Sequence, residues 1–358
     1  MGQNYVDTYL HFPDCAIVAV VDPNLERAQA IIEHHGELRQ QAKAYADTAS
    51  MLVAAQPDIV SIVTPGSYFK AAVLATAAAG SVKAVQCEKP FGGPLQDADE
   101  MVEACERTGT IFHGGALCVA LPQLQQVAMW LDEGRYGTVV GASIHGWSAE
   151  ILGAGNQHTT VLRRLCNAEV DRVVAWCDPP GGLRDENGRS VDAVDGVERE
   201  TGAREPVGRD GAHYNGIFYL STGVVCPVFG HPKNDYQTTV VGAGVRVVTD
   251  QGFQIYSPGP ECQLPPEVSK LSNSNDGSGC SEWVPCTWAE APFTTQPYEE
   301  LGHLGGSIRS MVEAVAASAG STGSDGAAER AERQLAVSGR DLRAAQEVST
   351  AGTRALIA

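Results

Sequence analysis

The chain has 358 residues, 43% of them apolar and 19% charged, with a formal net charge of −18. That length and apolar share allow two domains with real cores, while the acidity excludes nucleic acid and an anionic membrane surface as partners, since both need a basic patch. No apolar run reaches the roughly eighteen residues of a membrane-spanning helix, no secretory leader is visible, and the ten cysteines, scattered with neither Cys-x-x-Cys nor zinc-ligand spacing, read as reduced thiols of a cytoplasmic protein.

Residues 3–12 read as a short amphipathic helix with Tyr5, Tyr9, Leu10 and Phe12 on its apolar side. Ala16 to Val21 is a buried strand that stops at Asp22-Pro23-Asn24, and a helix follows from Leu25 to about His35. Ala44-Tyr45 is a minor strand, Asp47 the N-cap of a helix through Ala54, and Ile59 to Val63 a strand ending in Thr64-Pro65. A helix over 68–79, a strand at 84–87, a helix over 95–108 and a strand at 111–113 continue the alternation. Strands alternating with helices of ten to fifteen residues mean βαβ units and a parallel sheet.

The texture changes at Pro122. A helix over 122–133, a strand over 138–147, a helix over 160–165 and a strand over 170–177 are followed by a polar loop over 178–212. Strand patterns at 216–229, 237–249 and 252–256, with no helices between, predict a mostly antiparallel sheet. Residues 257–298 read as irregular, and helices over 303–318 and 326–350 close the chain, joined by a Gly/Ser linker. The domains are therefore set at 1–120, an α/β domain with a parallel sheet, and 121–358, an α+β domain with an open, mostly antiparallel sheet.

The stretch Val82 to Pro90 concentrates the chemistry. A short apolar run ends in Glu88-Lys89-Pro90, so a carboxylate and an ammonium stand at the carboxyl end of a parallel strand, the edge where open α/β sheets bind ligands. Together with Val20-Val21-Asp22-Pro23-Asn24, Pro57 to Pro65 and Glu133-Gly134-Arg135-Tyr136-Gly137, this resembles the glucose–fructose oxidoreductase, inositol dehydrogenase and rhizopine-catabolism family (Gfo/Idh/MocA), in register over residues 2–145. Ser338-Gly339-Arg340-Asp341 followed by a helix is similar to the family's C-terminal pattern.

The resemblance implies that 1–120 is a Rossmann-type domain binding a nicotinamide cofactor, with Gly2, Asp22, Asn24, Thr64, Pro65, Glu88 and Lys89 as its contacts, and that 121–358 serves substrate binding and oligomerisation. An acidic residue at this strand end can accept both adenosine-ribose hydroxyls and repels a 2′-phosphate, so Asp22 favours NAD over NADP. Asp22 lies twenty positions after Gly2, the spacing between the third fingerprint glycine and the acidic residue. Gly2 thus reads as the last of three glycines. The strand and Gly-x-Gly turn that should precede it are not in the chain, which points to a start inside the motif, and an upstream export signal stays open.

Oxidising a secondary alcohol requires a hydride acceptor, a proton acceptor and a charge beside the developing alkoxide. The resemblance assigns the proton chemistry to Lys89 and to His158, which stands where the family's motif has its histidine, although Ala154 holds the place of the motif's aspartate. Phe69, Ala154 and Val119-Ala120-Leu121 predict a less polar pocket than that of a sugar site. His113 and His145 read as strand-face residues, and His213, Tyr214 and Asn215 as a turn. The reading is an oxidoreductase acting on a hydroxyl of a sugar, cyclitol or related polyol, as a homodimer or homotetramer, with no metal. The alternative is a non-catalytic regulatory binding protein that keeps the fold and has lost cofactor binding.

Overall fold

The computed structural model describes residues 2–89, 94–120, 122–134, 138–147, 154–178, 213–230, 237–242, 246–249, 253–256, 285–286, 302–319 and 337–357. The described residues of Met1–Leu121 and Pro297–Glu347 form one compact unit, and those of Pro122–Val194, Ala203–Gln296 and Val348–Ala358 form another.

The first unit opens with α1 (Gly2–Tyr9), shorter than the expected helix because residues 10–12 leave it as a turn. Strand β1 (Ala19–Val21) leads to α2 (Leu25–His34), which Asn24 caps by accepting the Glu26 N–H at 3.1 Å. Next come β2 (Lys43–Tyr45), then α3 (Thr48–Ala55), capped by Asp47 through the Ser50 N–H at 2.7 Å, and β3 (Ile59–Ile62). A 3-10 turn at Gly66–Tyr68 enters α4 (Phe69–Ala78), followed by β4 (Ala84–Glu88), α5 (Leu95–Thr108) and β5 (Ile111–Gly115). Gly109, at φ 72°, closes α5, where a side chain would be strained. Lys70 on α4 reaches Asp97 and Glu100 on α5 at 2.6 and 2.7 Å.

All strand pairings in this unit are parallel, as the alternation predicts, but they form two sheets, β1–β2 and β3–β4–β5. Among the described residues β1 pairs only with β2 and β3 only with β4. β4, paired on both sides, is buried at all five positions. Tyr5 and Phe12 from the α1 region pack with Leu304 and Ile308 of a late helix, α8 (Gly302–Ala319), and Val63 joins them. The chain also returns to β5. The Gly114 N–H donates to Val337 at 2.9 Å and His113 bridges to Ser338, just before the last helix, α9 (Gly339–Ile357). Ser338 and Asp341 cap that helix reciprocally.

The second unit contains α6 (Pro122–Asp132), β6 (Val139–Trp147), α7 (Ala154–Cys166), β7 (Val170–Asp178), β8 (His213–Leu220), β9 (Val225–Gly230), β10 (Gln237–Gly242), β11 (Arg246–Thr249), β12 (Phe253–Tyr256) and β13 (Pro285–Cys286). They make one eight-stranded sheet in the order β13-β12-β11-β10-β6-β9-β8-β7, antiparallel throughout except β6–β9. One face is buried, through Ala142, Ile144, Phe218, Leu220, Cys226 and Val228, and α7 packs against β6 and β10.

Three local expectations are corrected. Residues 154–159 are helical, not a loop before residue 160, because Asn156, Thr159 and Thr160 are buried in α7 despite their weak helix propensity. His213, Tyr214 and Asn215 form the first residues of β8, paired with Asp178, Cys177 and Trp176. There the ladder outweighs the turn propensity of Asn-Gly. α9 extends to Ile357, past the expected end at 350. The readings for 178–212, 257–298 and 326–336 fall outside the described residues, apart from Asp178 at the end of β7 and the two residues of β13.

Candidate active site

Glu88 ends β4 with 6% of its surface exposed, and Lys89 follows in a half-buried bend. Carboxylates are rarely this buried without a donor. The donor is Tyr5 on α1, whose hydroxyl gives a 2.7 Å hydrogen bond to Glu88 Oε1, while Oε2 accepts the Lys89 N–H at 3.2 Å. Burial pushes the Glu88 carboxyl above its ordinary range, and the Tyr5 bond and the Lys89 charge oppose that rise. Burial and the neighbouring Glu88 also push the Tyr5 phenol well up, so it remains a donor. The Lys89 charge is felt by Cys118, in the turn after β5, whose thiol burial pushes up to about 11.

One helical turn beyond Tyr5, Tyr9 Oη shares a 2.9 Å hydrogen bond with Ser61 Oγ on β3. Two tyrosine hydroxyls at i and i+4 therefore fasten α1 to two adjacent strands. Sequence reading placed both tyrosines on an apolar face and missed their hydroxyls. The available signal was Tyr, rather than Phe or Leu, at both positions of a buried face.

The other expected cofactor contacts lie in the same unit. Gly2 is exposed at the start of α1, with open space where a Cβ would stand. Thr64 and Pro65 are exposed at the end of β3. Asp22, at the end of β1, is half-buried, and its Oδ1 accepts the Asn24 N–H at 2.8 Å in an Asx-turn. Asn24 Oδ1 is engaged in capping α2. A nicotinamide dinucleotide fits this set in part: the exposed first residue of a helix, a strand-end carboxylate with one oxygen engaged in the turn, and a strand-end lysine.

His158 lies in the second unit within the early turns of α7, 5% exposed, and burial pushes its imidazole down to about 4. It is a neutral imidazole at pH 7, and burial makes it a weaker proton acceptor than a free imidazole. Beside it on α7, Asn156 Oδ1 accepts the Ser349 hydroxyl at 2.8 Å. Phe69, Val119 and Ala120 are buried at 1–3% exposure and serve the core, so they do not line an open pocket. His113 is fully buried on β5 and His145 lies on the exposed face of β6, stacked on Phe229. Among the described residues no group of three or more His, Cys, Asp or Glu side chains forms a metal site, and no helix is long and apolar enough to cross a membrane.

A split parallel α/β unit with an acidic first strand end and a strand-end Glu-Lys, followed in the chain by a unit with a mixed eight-stranded sheet, defines a Rossmann-type class of fold. Residues 1–116 match the model of the oxidoreductase family with the NAD-binding Rossmann fold, GFO_IDH_MocA. D-apiose dehydrogenase of Paraburkholderia graminis is 35% identical over 137 residues, 38% of this chain and 35% of that protein. The aligned part is thus about a third of the relative's length. Over the whole chain the fold is that of an NAD-binding oxidoreductase from Klebsiella pneumoniae (TM-score 0.69, 17% identity, 100% of this chain and 94% of that one). It is also that of a super-repressor mutant of Gal80p from Saccharomyces cerevisiae (TM-score 0.67, 13% identity, 99% and 92%).

Proposed function

We propose that the protein is an NAD(P)-dependent oxidoreductase acting on a hydroxyl-bearing carbon of a sugar, cyclitol or related polar metabolite. The observation that carries this reading is the buried Glu88 beside Lys89 at the carboxyl end of β4, bonded to the helix that begins at Gly2. The family match and the dehydrogenase relative support it.

The N-terminus of α1 would face the pyrophosphate, Asp22 the adenosine ribose, and Thr64, Pro65 and Lys89 the nicotinamide side. Bound NAD supplies the hydride acceptor. Asp22 disfavours a 2′-phosphate and Pro23 offers no cation in exchange, so NAD is preferred to NADP. Lys89 donates a hydrogen bond to the substrate hydroxyl, steadies the alkoxide and relays its proton. His158, neutral near pH 7, is the second proton acceptor. The chain works in the cytoplasm as a homo-oligomer.

Lys89→Ala is expected to lower turnover at least a thousandfold with the melting temperature within a few degrees of wild type. Wild-type turnover in that variant would remove Lys89 from the mechanism. Calorimetric titration with NAD is the companion measurement. The resemblance to Gal80p and the Asp22 oxygen engaged in a turn favour the second reading, a regulatory binding protein on this fold. Failure to bind NAD would select it.

A further inference from the structure

Tyr5 is the polar contact with Glu88 that comes from outside the strand and its exit. It is 3% exposed, on the helix whose first residue is the expected pyrophosphate contact, and its hydroxyl is 2.7 Å from the carboxylate. The same carboxylate holds the main chain of Lys89 through Oε2. One side chain thus joins three things: the start of α1, the ionisation of a buried acid, and the backbone that sets out the lysine.

We propose that Tyr5 is a positioning residue for the Glu88–Lys89 pair, its hydroxyl favouring the charged carboxylate of Glu88 and holding it in one orientation so that Lys89 leaves β4 in a fixed direction. This rests on the oxidoreductase reading for its purpose, but the hydrogen bond's effect on Glu88 is independent of it. A buried carboxylate is disfavoured by desolvation, and a donor restores part of what water supplied. The titratable and charged groups facing Glu88 are Tyr5 from α1, the chain's amino terminus, and Cys87 and Lys89 beside it in sequence. Of these, Tyr5 alone donates a side-chain hydrogen bond to it. Tyr9, one turn along and bonded to Ser61 instead, is a built-in control of the same chemistry.

The test is the titration of the Glu88 side-chain carboxyl carbon by NMR on the full chain, assigned through Glu88→Gln. Tyr5→Phe is expected to raise the midpoint by about one pH unit, and Tyr9→Phe to leave it in place. Substituting 3-fluorotyrosine at position 5, a stronger donor with the same ring, is expected to lower it. That replacement keeps the test decisive should Tyr5→Phe fold poorly. In turnover, Tyr5→Phe is expected to reduce kcat about tenfold with less than a twofold change in KM for NAD, and Tyr9→Phe to change neither. An unmoved Glu88 midpoint in both position-5 variants, or equal shifts in Tyr5→Phe and Tyr9→Phe, overturns the proposal. If the midpoints move as expected and wild type turns over no polyol, the control of Glu88 by Tyr5 stands and the dehydrogenase reading falls.

Discussion

His113 on β5 is fully buried, opposite Gln86 in the parallel ladder, and shares a 3.1 Å hydrogen bond with Ser310 Oγ on α8. Gln86 donates to Ser307 Oγ of the same helix at 2.9 Å. Burial pushes His113 down from 6.5 to about 4, and His158 likewise. A histidine with a lowered pKa is neutral in the fold but takes a proton in the unfolded chain below pH 6.5. Stability is therefore unaffected by these groups above that pH and lost between 6.5 and about 4, by up to about 3 kcal/mol per group. Urea unfolding from pH 7.5 to 4.5 is expected to show this decline, and His113→Gln to make it shallower. An unchanged slope would place the acid sensitivity elsewhere. Asp22 shows how a residue-scale reading can be only half visible: its strand-end place was legible, but the Asx-turn that engages one oxygen needed the backbone.

Between elements, close approach decides. A Cβ on Gly115 of β5 would stand 2.5 Å from the Cys87 carbonyl oxygen and 2.5 Å from Glu88 Cα, both backbone atoms that cannot swing away. A Cβ on Gly339 would enter the Phe112 ring. Gly115→Ala is expected to destabilise the fold by about 1–3 kcal/mol through overpacking and to disturb the end of β4 where Glu88 sits. Gly36→Ala, with nothing within 4 Å, is expected to change stability by less than about 0.5 kcal/mol. Urea midpoints of the two variants decide this, and equal midpoints would mean that β4 and β5 separate without cost. The sequence showed glycines at the end of a strand but not what they face. The start of α7 was hidden for a similar reason: Ala-Gly-Asn-Gln reads as loop until Ser349 is seen to take the Asn156 side chain.

For the whole molecule, among the described residues, the eight-stranded sheet has one covered face and one that no described element covers. Val174, Trp176, Val225 and Phe229 on the open face are 43–47% exposed, with Ile217 and Tyr219 between them. A contiguous apolar patch of this kind is unusual on a monomer, and a second copy of the chain is the proposed cover. On that proposal the wild type sediments as an oligomer and Trp176→Asp combined with Phe229→Asp as a monomer, with the secondary structure retained. A monomeric wild type would refute the interface.

The sequence by itself determined the alternation of short apolar strands and amphipathic helices, the parallel pairing that follows, and the breaker after Glu88-Lys89, because period, caps and prolines act over a few residues. Only the tertiary structure decided that the parallel strands stand as two sheets, that 302–319 and the segment from 337 return to the first unit, and that a tyrosine hydroxyl is spent on Glu88. Those outcomes depend on which distant side chains become neighbours when water is excluded. No local pattern in the chain encodes them.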